Sequence, residues 1–154
     1  MTFAQDLGRA TWWHLHWAAQ QPGAAKALPR LVALLRQSYP CIKCRRHLPS
    51  ALARRPPTPI VDVDVPLWMA SFHNSVRRAM GAAVVLGPVT DELRGPLRAL
   101  YGGPTPPPPH HDERVREWIA LLESPINGKP VYRGVGACPP EGCNPRRCSV
   151  SSRS

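Results

Sequence analysis

Two cysteines three positions apart, Cys41 and Cys44, are the residues of this sequence best suited to chemistry. At a helix start, this spacing places the two sulfur atoms one turn apart, where they can form a disulfide. Pro40 ends the preceding helical pattern. The positive end of the helix macrodipole, together with the basic residues that surround the pair, favours the thiolate form of Cys41. The pattern therefore predicts a pair that exchanges disulfides.

Other functions use the same Cys-x-x-Cys spacing. Zinc would find three ligands in Cys41, Cys44 and His47, with a cysteine from the C-terminal region as the fourth. A thioredoxin-like site requires a strand before the motif, but a helical pattern precedes it here. Haem attachment requires His directly after the second cysteine, where this sequence has Arg45. A zinc-stabilised basic binding module therefore stays open beside a redox enzyme, and a plain helical interaction domain is a third possibility.

The elements that position these residues are predicted to be helices. Apolar residues recur with helical spacing in three segments, at 3–21, 24–39 and 67–80. A further helix is expected at 41–54, between Pro40 and the Pro-rich break at 55–59. Residues 60–65 alternate apolar and acidic side chains, but a lone strand has no partner, so we predict an extended loop. Short connections between the helices predict an all-α four-helix bundle, and bundle interiors commonly hold cofactors.

The domain organisation is predicted from the uneven placement of the prolines. We expect a helical core at 1–86, and a Pro-rich segment at 87–123 with a short amphipathic helix at about 112–122. A flexible tail is expected at 124–154, rich in Gly, Pro and Arg. This tail carries the other three cysteines, Cys138, Cys143 and Cys148.

Composition limits the partners and the compartment. The net charge of +10 comes mostly from arginine, which suits phosphate or acidic partners but also reflects GC-rich codons. Nucleic-acid binding is not favoured, because the basic residues form no long block. No apolar run reaches the length of a membrane span, and residues 1–6 lack the features of a secretory signal. Cysteines in a chain without a leader indicate redox chemistry or metal binding.

Aromatic and imidazole side chains form a second group of candidates. Trp12 and His16 are one turn apart on the first predicted helix, and Trp68, His73 and Asn74 lie on the fourth. Each of these residues alone also suits a helical core. If they converge inside a bundle, they enclose space for a large planar cofactor.

Three segments of the chain together resemble the Erv/ALR family of sulfhydryl oxidases. In order, they are Gly8-Arg9-x-x-Trp12-x-x-Leu15-His16, Tyr39-Pro40-Cys41-x-x-Cys44 and Trp68-x-x-x-x-His73-Asn74-x-Val76-x-x-x-Met80-Gly81. The resemblance covers about half of the chain, residues 6–82. It implies a helical bundle, usually a homodimer, with FAD between the helices.

The resemblance also implies roles for individual residues. Cys41 exchanges with the thiols of a protein client, and Cys44 faces the flavin, which passes the electrons to O2 and yields hydrogen peroxide. Ten residues are implied to bind FAD: Gly8, Arg9, Trp12, His16, His73, Asn74, Val76, Arg77, Met80 and Gly81.

The sequence departs from the family pattern at several positions. Leu7, Arg77 and Ala82 stand where the family usually has Trp, Asn and Lys. Arg77 is well suited to bind a pyrophosphate. The aromatic residue that often contacts the adenine stays unassigned, because the Pro-rich stretch 88–109 intervenes.

The tail and the surroundings of the motif suggest partners and a location. A flexible cysteine pair suits a shuttle that carries electrons from a client to Cys41; Cys138 with Cys143 is the first choice and Cys143 with Cys148 the second. The remaining cysteine is then available for an intersubunit bond.

Residues 40–47 look most like the shorter virus-encoded members, which implies the cytoplasm of an infected host cell or the virion. The mitochondrial intermembrane space is the alternative.

Overall fold

The structure is a computed structural model, and it describes residues 3–57, 60–84, 86–103, 115–116, 118–120 and 122–123. Its helices are α1 (Phe3–Ala18), α2 (Ala24–Ser38), α3 (Ile42–Arg54), α4 (Val65–Ala79) and α5 (Arg94–Tyr101). The described residues between 115 and 123 are also helical, as predicted for that segment. Strands are absent from the described ranges, and the predicted all-α fold is confirmed.

The core forms where the apolar faces of the helices meet. Helix α3 packs against α2 and α4, and α1 packs against α4 and α5. Leu15, Leu28, Met69 and Phe72 are almost completely buried between them. Their burial removes apolar surface from water and supplies most of the free energy that holds the helices together.

The segment before α4 differs from the extended loop that was predicted. Residues Asp62–Asp64 form a 3₁₀ turn. The Asp62 carboxylate accepts hydrogen bonds from the backbone N–H groups of Gly23 and Ala25, at 2.7 and 2.8 Å. The first N–H groups of a helix lack partners within the helix, so a remote carboxylate here satisfies the start of α2. The 3₁₀ turn places the Asp62 carboxylate at the start of α2. The alternation of apolar and acidic residues in the sequence does not predict this turn.

Helix α5 was not predicted from the sequence, because it lies within the segment 87–123 that was taken as Pro-rich, where Gly95-Pro96 would interrupt a helix. Pro96 instead lies in the first turn of the helix, where its missing N–H leaves no hydrogen bond unmade. Arg94 joins the start of α5 to the segment before α4, since its guanidinium bonds to Asp91, Asp64 and the carbonyl of Val63. Leu97, on the inner side of α5, is fully buried.

The helical segment between 115 and 123 also belongs to the core. Its apolar residues Val115, Trp118 and Leu122 are at most 1% exposed. The indole N–H of Trp118 donates to Oγ1 of Thr11 at 3.1 Å, and the ring meets Tyr39 edge-on at 5.4 Å between centroids. This segment therefore packs on α1 and on the end of α2.

A membrane-spanning helix was not expected from the sequence. Within the part of the chain that the structure describes, each helix is too short or too polar to cross a bilayer.

Candidate functional site

Cys41 and Cys44 form a disulfide at the start of α3, with their Cα atoms 5.2 Å apart. Cys41 is the N-cap residue of the helix, and its sulfur accepts a hydrogen bond from the backbone N–H of Cys44 at 3.2 Å. Both side chains are partly exposed. A thiol from outside can therefore reach the bond, and the helix N-terminus stabilises negative charge on the Cys41 sulfur once the bond opens.

Arg45 fixes the disulfide at the junction between α2 and α3. Its backbone N–H donates to the carbonyl of Cys41 at 3.0 Å, which closes the first turn of α3. Its guanidinium donates to the carbonyl of Gln37 near the end of α2 at 2.9 Å. The carbonyls at the end of a helix lack internal partners, so this bond satisfies one of them and joins the two helices.

Helices α1, α4 and α5 bring together a set of rings that we call the aromatic cluster, formed by Trp12, His16, Phe72, His73 and Tyr101. Trp12 and His73 are stacked with centroids 3.8 Å apart and an interplanar angle of 6°. Nε2 of His16 lies 3.0 Å from Nδ1 of His73, within hydrogen-bond distance. Tyr101 stacks on His16 at 4.8 Å. The structure thus places the predicted Trp12, His16 and His73 in direct contact.

The two imidazoles of the cluster are neutral at physiological pH. Burial, and to a smaller extent the adjacent His73, lower the pKa of His16 to about 3. Burial, followed by the nearby positive charge of Arg77, lowers the pKa of His73 to about 4. Neutral imidazoles both donate and accept hydrogen bonds, so these rings suit a planar ligand with mixed donors and acceptors.

Asn74 adds a buried polar group beside the cluster. Its side-chain N–H donates to the carbonyl of Leu86 at 2.8 Å, while its Oδ1 has no hydrogen-bond partner among the described atoms. A buried acceptor without a partner is costly, so this oxygen is suited to receive an N–H from a ligand.

The remaining predicted residues have different environments. Arg77 donates through Nε to the carbonyl of Ala83 just beyond α4. Val76 is buried, whereas Met80 is 56% exposed. The other predicted cofactor residues are Gly8 and Arg9 in the first half of α1 and Gly81, which has φ +71° just after α4.

Helix α3, which begins at the disulfide, packs on α4, and its far end is joined to the aromatic cluster. The indole N–H of Trp68 on α4 donates to the carbonyl of Pro56, just after α3, at 3.1 Å. Trp68 also stacks on Phe72 at 5.0 Å, and Phe72 lies 5.7 Å from Trp12. A continuous series of rings therefore extends from the end of α3 into the cluster.

The sequence analysis named neither Phe72 nor Tyr101 as a candidate, and of the two only Tyr101 comes from an element that was not predicted. It ends α5, and it contacts Trp13 edge-on at 6.3 Å in addition to stacking on His16. The spacing of Leu93, Leu97 and Leu100 is helical and carried the signal. Gly95-Pro96 obscured it.

The zinc alternative has less to support it than a planar cofactor. Within the described ranges, no group of three His, Cys, Asp or Glu side chains is arranged to hold a metal ion. The cysteines Cys138, Cys143 and Cys148 lie outside the described residues. Stacked rings, neutral imidazoles and the acceptor of Asn74 instead suit a flat heteroaromatic group that carries N–H donors.

Comparisons with known proteins agree with this chemistry. The Erv1/Alr family model matches residues 9–88. The FAD-linked sulfhydryl oxidase ERV1 of Arabidopsis thaliana is 35% identical over 86 residues, which are 52% of this chain and 45% of that protein. The protein of the same name from Oryza sativa subsp. japonica is 31% identical over 86 residues, 52% of this chain and 44% of that protein. The match thus spans less than half the length of these relatives. No solved structure matches the chain significantly.

Proposed function

The chain belongs to the Erv1/Alr family, and on that premise we propose that it is an FAD-dependent thiol oxidase that forms disulfide bonds in protein clients. The observation that carries the proposal is the partly exposed Cys41–Cys44 disulfide at the start of α3. This helix packs on α4, which contributes Phe72 and His73 to the aromatic cluster. The family resemblance expected from three sequence motifs is confirmed.

The exchange at the disulfide follows from the position of each sulfur. A client thiolate attacks the sulfur of Cys41, the Cys41–Cys44 bond breaks, and Cys44 leaves as a thiolate. The second client thiolate then attacks the client sulfur of the mixed disulfide, and Cys41 leaves. The N–H of Cys44 and the helix N-terminus stabilise this leaving thiolate. The client loses two electrons and two protons, which the cysteine pair receives.

FAD is the group that the site is proposed to hold. When bound, it accepts two electrons from a dithiol and passes them to O2, which yields hydrogen peroxide. The rings of Trp12, His16 and His73 offer stacking faces and neutral hydrogen-bonding atoms. The Oδ1 of Asn74 offers a buried acceptor. Arg77 offers a cation for the pyrophosphate.

Six further residues complete the proposed cofactor site. Tyr101, which stacks on His16, is added to it as the downstream aromatic that the sequence left unassigned. The other five are carried over from the family pattern: Gly8, Arg9, Val76, Met80 and Gly81.

The tail is proposed to shuttle electrons from the client to Cys41. The helical segment that precedes it is anchored near the disulfide, since Trp118 contacts Tyr39, two residues before Cys41. Cys138 follows Trp118 by 20 residues (138 − 118), and an extended chain of that length reaches about 66 Å. Cys138 and Cys143 are the proposed pair, with Cys143 and Cys148 as the second choice.

The assembly and the location are proposed from the family resemblance alone. We expect a homodimer. The location proposed is the cytoplasm of an infected host cell or the virion, with the mitochondrial intermembrane space as the alternative.

The decisive experiment combines colour with catalysis. The purified protein is expected to be yellow, to show a flavin absorption band and to consume O2 when dithiothreitol is added. Cys44→Ala is expected to abolish this consumption while the flavin stays bound, because the dithiol can no longer pass electrons on. Cys148→Ala is the matched control and should retain full activity with dithiothreitol. A colourless protein with one zinc ion per chain would favour the binding-module alternative.

A further inference from the structure

The redox disulfide lies in a part of the chain that carries positive charge only. Residues 7–61 contain nine Lys and Arg residues and no Asp or Glu. This range includes α2 and α3 entirely and nearly all of α1 beyond its first turn. Helices α2 and α3, which flank the disulfide, therefore carry charge of a single sign, and like charges that lie close together add to one another's potential.

Several of these cations are close to the disulfide. Arg36 is in the last turn of α2, Lys43 lies between the two cysteines, and Arg45 and Arg46 follow them directly. Arg36, Lys43 and Arg46 are exposed. Arg45 is fixed in place by its hydrogen bond to the carbonyl of Gln37. We call the side chains of Arg36, Lys43, Arg45 and Arg46 the basic face.

The ion pairs between described side chains do not involve the basic face. Asp64 and Asp91 pair with Arg94, and Glu123 lies 3.5 Å from His14. Asp62 is bonded to the backbone at the start of α2, at the opposite end of that helix from Cys41. Between described side chains, no ion pair involves a cation of α2 or α3.

We propose that the basic face selects clients whose reactive dithiol lies in an acidic segment of protein. The inference rests on the proposed function and specifies its substrate class. Complementary charge raises the rate of encounter and orients the partner, and it holds the client's thiolate near the sulfur of Cys41. A protein client is favoured over nucleic acid because the cations surround a disulfide, which reacts with thiols.

The test compares three peptides that share one Cys-x-x-Cys dithiol and differ only in the residues that flank it. The flanks contain four Glu, four Gln or four Lys. Oxygen consumption by the flavin-loaded, full-length protein gives kcat/KM for each peptide, and dithiothreitol is measured in parallel. At low ionic strength, the acidic peptide is expected to exceed the basic one by about tenfold. The ratio should fall towards one in about 0.5 M salt, because salt screens exposed charges.

Two charge reversals locate the effect. Arg46→Glu alters the basic face, whereas Lys26→Glu makes the same charge change near the start of α2. Twelve residues separate Lys26 from Ser38 at the end of that helix, about 18 Å along its axis. The measured quantity is the acidic-to-basic ratio of kcat/KM within each variant, so a change in disulfide reactivity cancels. Arg46→Glu is expected to lower the ratio at least about threefold, and Lys26→Glu by much less.

The outcomes separate this inference from the proposed function. A ratio of one at low salt, with dithiothreitol oxidation intact, would overturn the charge selection and leave the thiol oxidase in place. An equal decrease of the acidic-to-basic ratio in Arg46→Glu and Lys26→Glu would also overturn it, because the net charge of the protein would then explain the preference without the basic face. A DNA duplex that blocks turnover while the ratio stays at one would assign the basic face to nucleic acid instead. An absence of both flavin and dithiothreitol oxidation would refute the proposed function itself.

Discussion

Three histidines, His14, His16 and His73, have pKa values far below the ordinary value of a histidine. Burial lowers the pKa of His14 and of His73 to about 4, and that of His16 to about 3. His14 is outside the aromatic cluster, where it packs on Trp17 at 5.1 Å and faces Glu123. Because these rings are neutral in the folded protein, acid favours the unfolded chain, in which they bind protons more readily.

His14 provides a test of this effect that does not disturb the proposed cofactor site. Its pKa is about 4 when folded and 6.5 when exposed, so its contribution to stability is complete above pH 6.5 and is lost as the pH falls towards 4. Glu123 is the charged group that faces it. The free energy of unfolding of the wild type is expected to decrease when the pH is lowered from 7.5 to 5. In His14→Gln this decrease should be smaller by about 1 to 2 kcal/mol.

Urea unfolding of the wild type and of His14→Gln at both pH values measures this difference. His47→Gln is the control, because His47 is only partly buried on α3. If the unfolding free energy of His14→Gln decreased between pH 7.5 and pH 5 by as much as that of the wild type, the His14 ring would not contribute to the pH dependence of stability.

At the scale of elements, the sequence was informative where local patterns decide the structure. Helices α1, α2 and α4 follow their apolar periodicity, and Cys41 lies at the start of α3, as Pro40 indicated. The 3₁₀ turn with Asp62 and the helix α5 were not predicted. Their positions depend on contacts between remote residues, such as those of Arg94 with Asp64 and Val63, which no local pattern encodes.

The same distinction applies to the candidate site. Trp12, His16 and His73 were identified from their types and spacing, but their direct contacts depend on the packing of α1 on α4. Tyr101 joins them only because α5 folds back onto α1. The resemblance to a family could name residues by position, whereas the stacking of Tyr101 on His16 required the fold.

Trp118 tests whether the segment between 115 and 123 is part of the core. It is 1% exposed and donates a hydrogen bond to Thr11. Trp118→Ala leaves a large cavity and removes the N–H that donates to Thr11, so it is expected to lower the free energy of unfolding by about 3 to 5 kcal/mol. Arg116→Ala, at an exposed position of the same segment, should change it by less than about 0.5 kcal/mol. Equal effects of the two variants in chemical denaturation would show that the segment is not docked.

At the scale of the whole molecule, charge is divided unevenly along the chain. The acid-free range 7–61 carries the disulfide, and residues 124–154 contain five Lys and Arg and only one acid, Glu141. The proposed shuttle tail therefore approaches a surface of its own sign. Attachment through Trp118 offsets this repulsion, because a tethered pair has a high effective concentration at Cys41.

The tail prediction follows from that tethering. Cys138→Ala with Cys143→Ala is expected to leave dithiothreitol oxidation unchanged and to slow the oxidation of a reduced, unfolded protein about tenfold. Cys148→Ala alone should have no effect if Cys138 and Cys143 form the shuttle. A slow Cys148→Ala variant together with a normal Cys138→Ala variant would identify Cys143 and Cys148 as the pair. Normal client turnover in all of these variants would show that the tail cysteines do not carry electrons from the client to Cys41.

The contact between His16 and His73 restricts where protons reside in the site. Both rings are neutral, and the 3.0 Å between Nε2 of one and Nδ1 of the other accommodates a single hydrogen. If His16 supplies it, Nε2 of His73 must also carry a hydrogen; if His73 supplies it, that nitrogen bears a lone pair. The tautomers of the two rings therefore interconvert only as a correlated pair, and whatever meets Nε2 of His73 selects the tautomer of His16 as well.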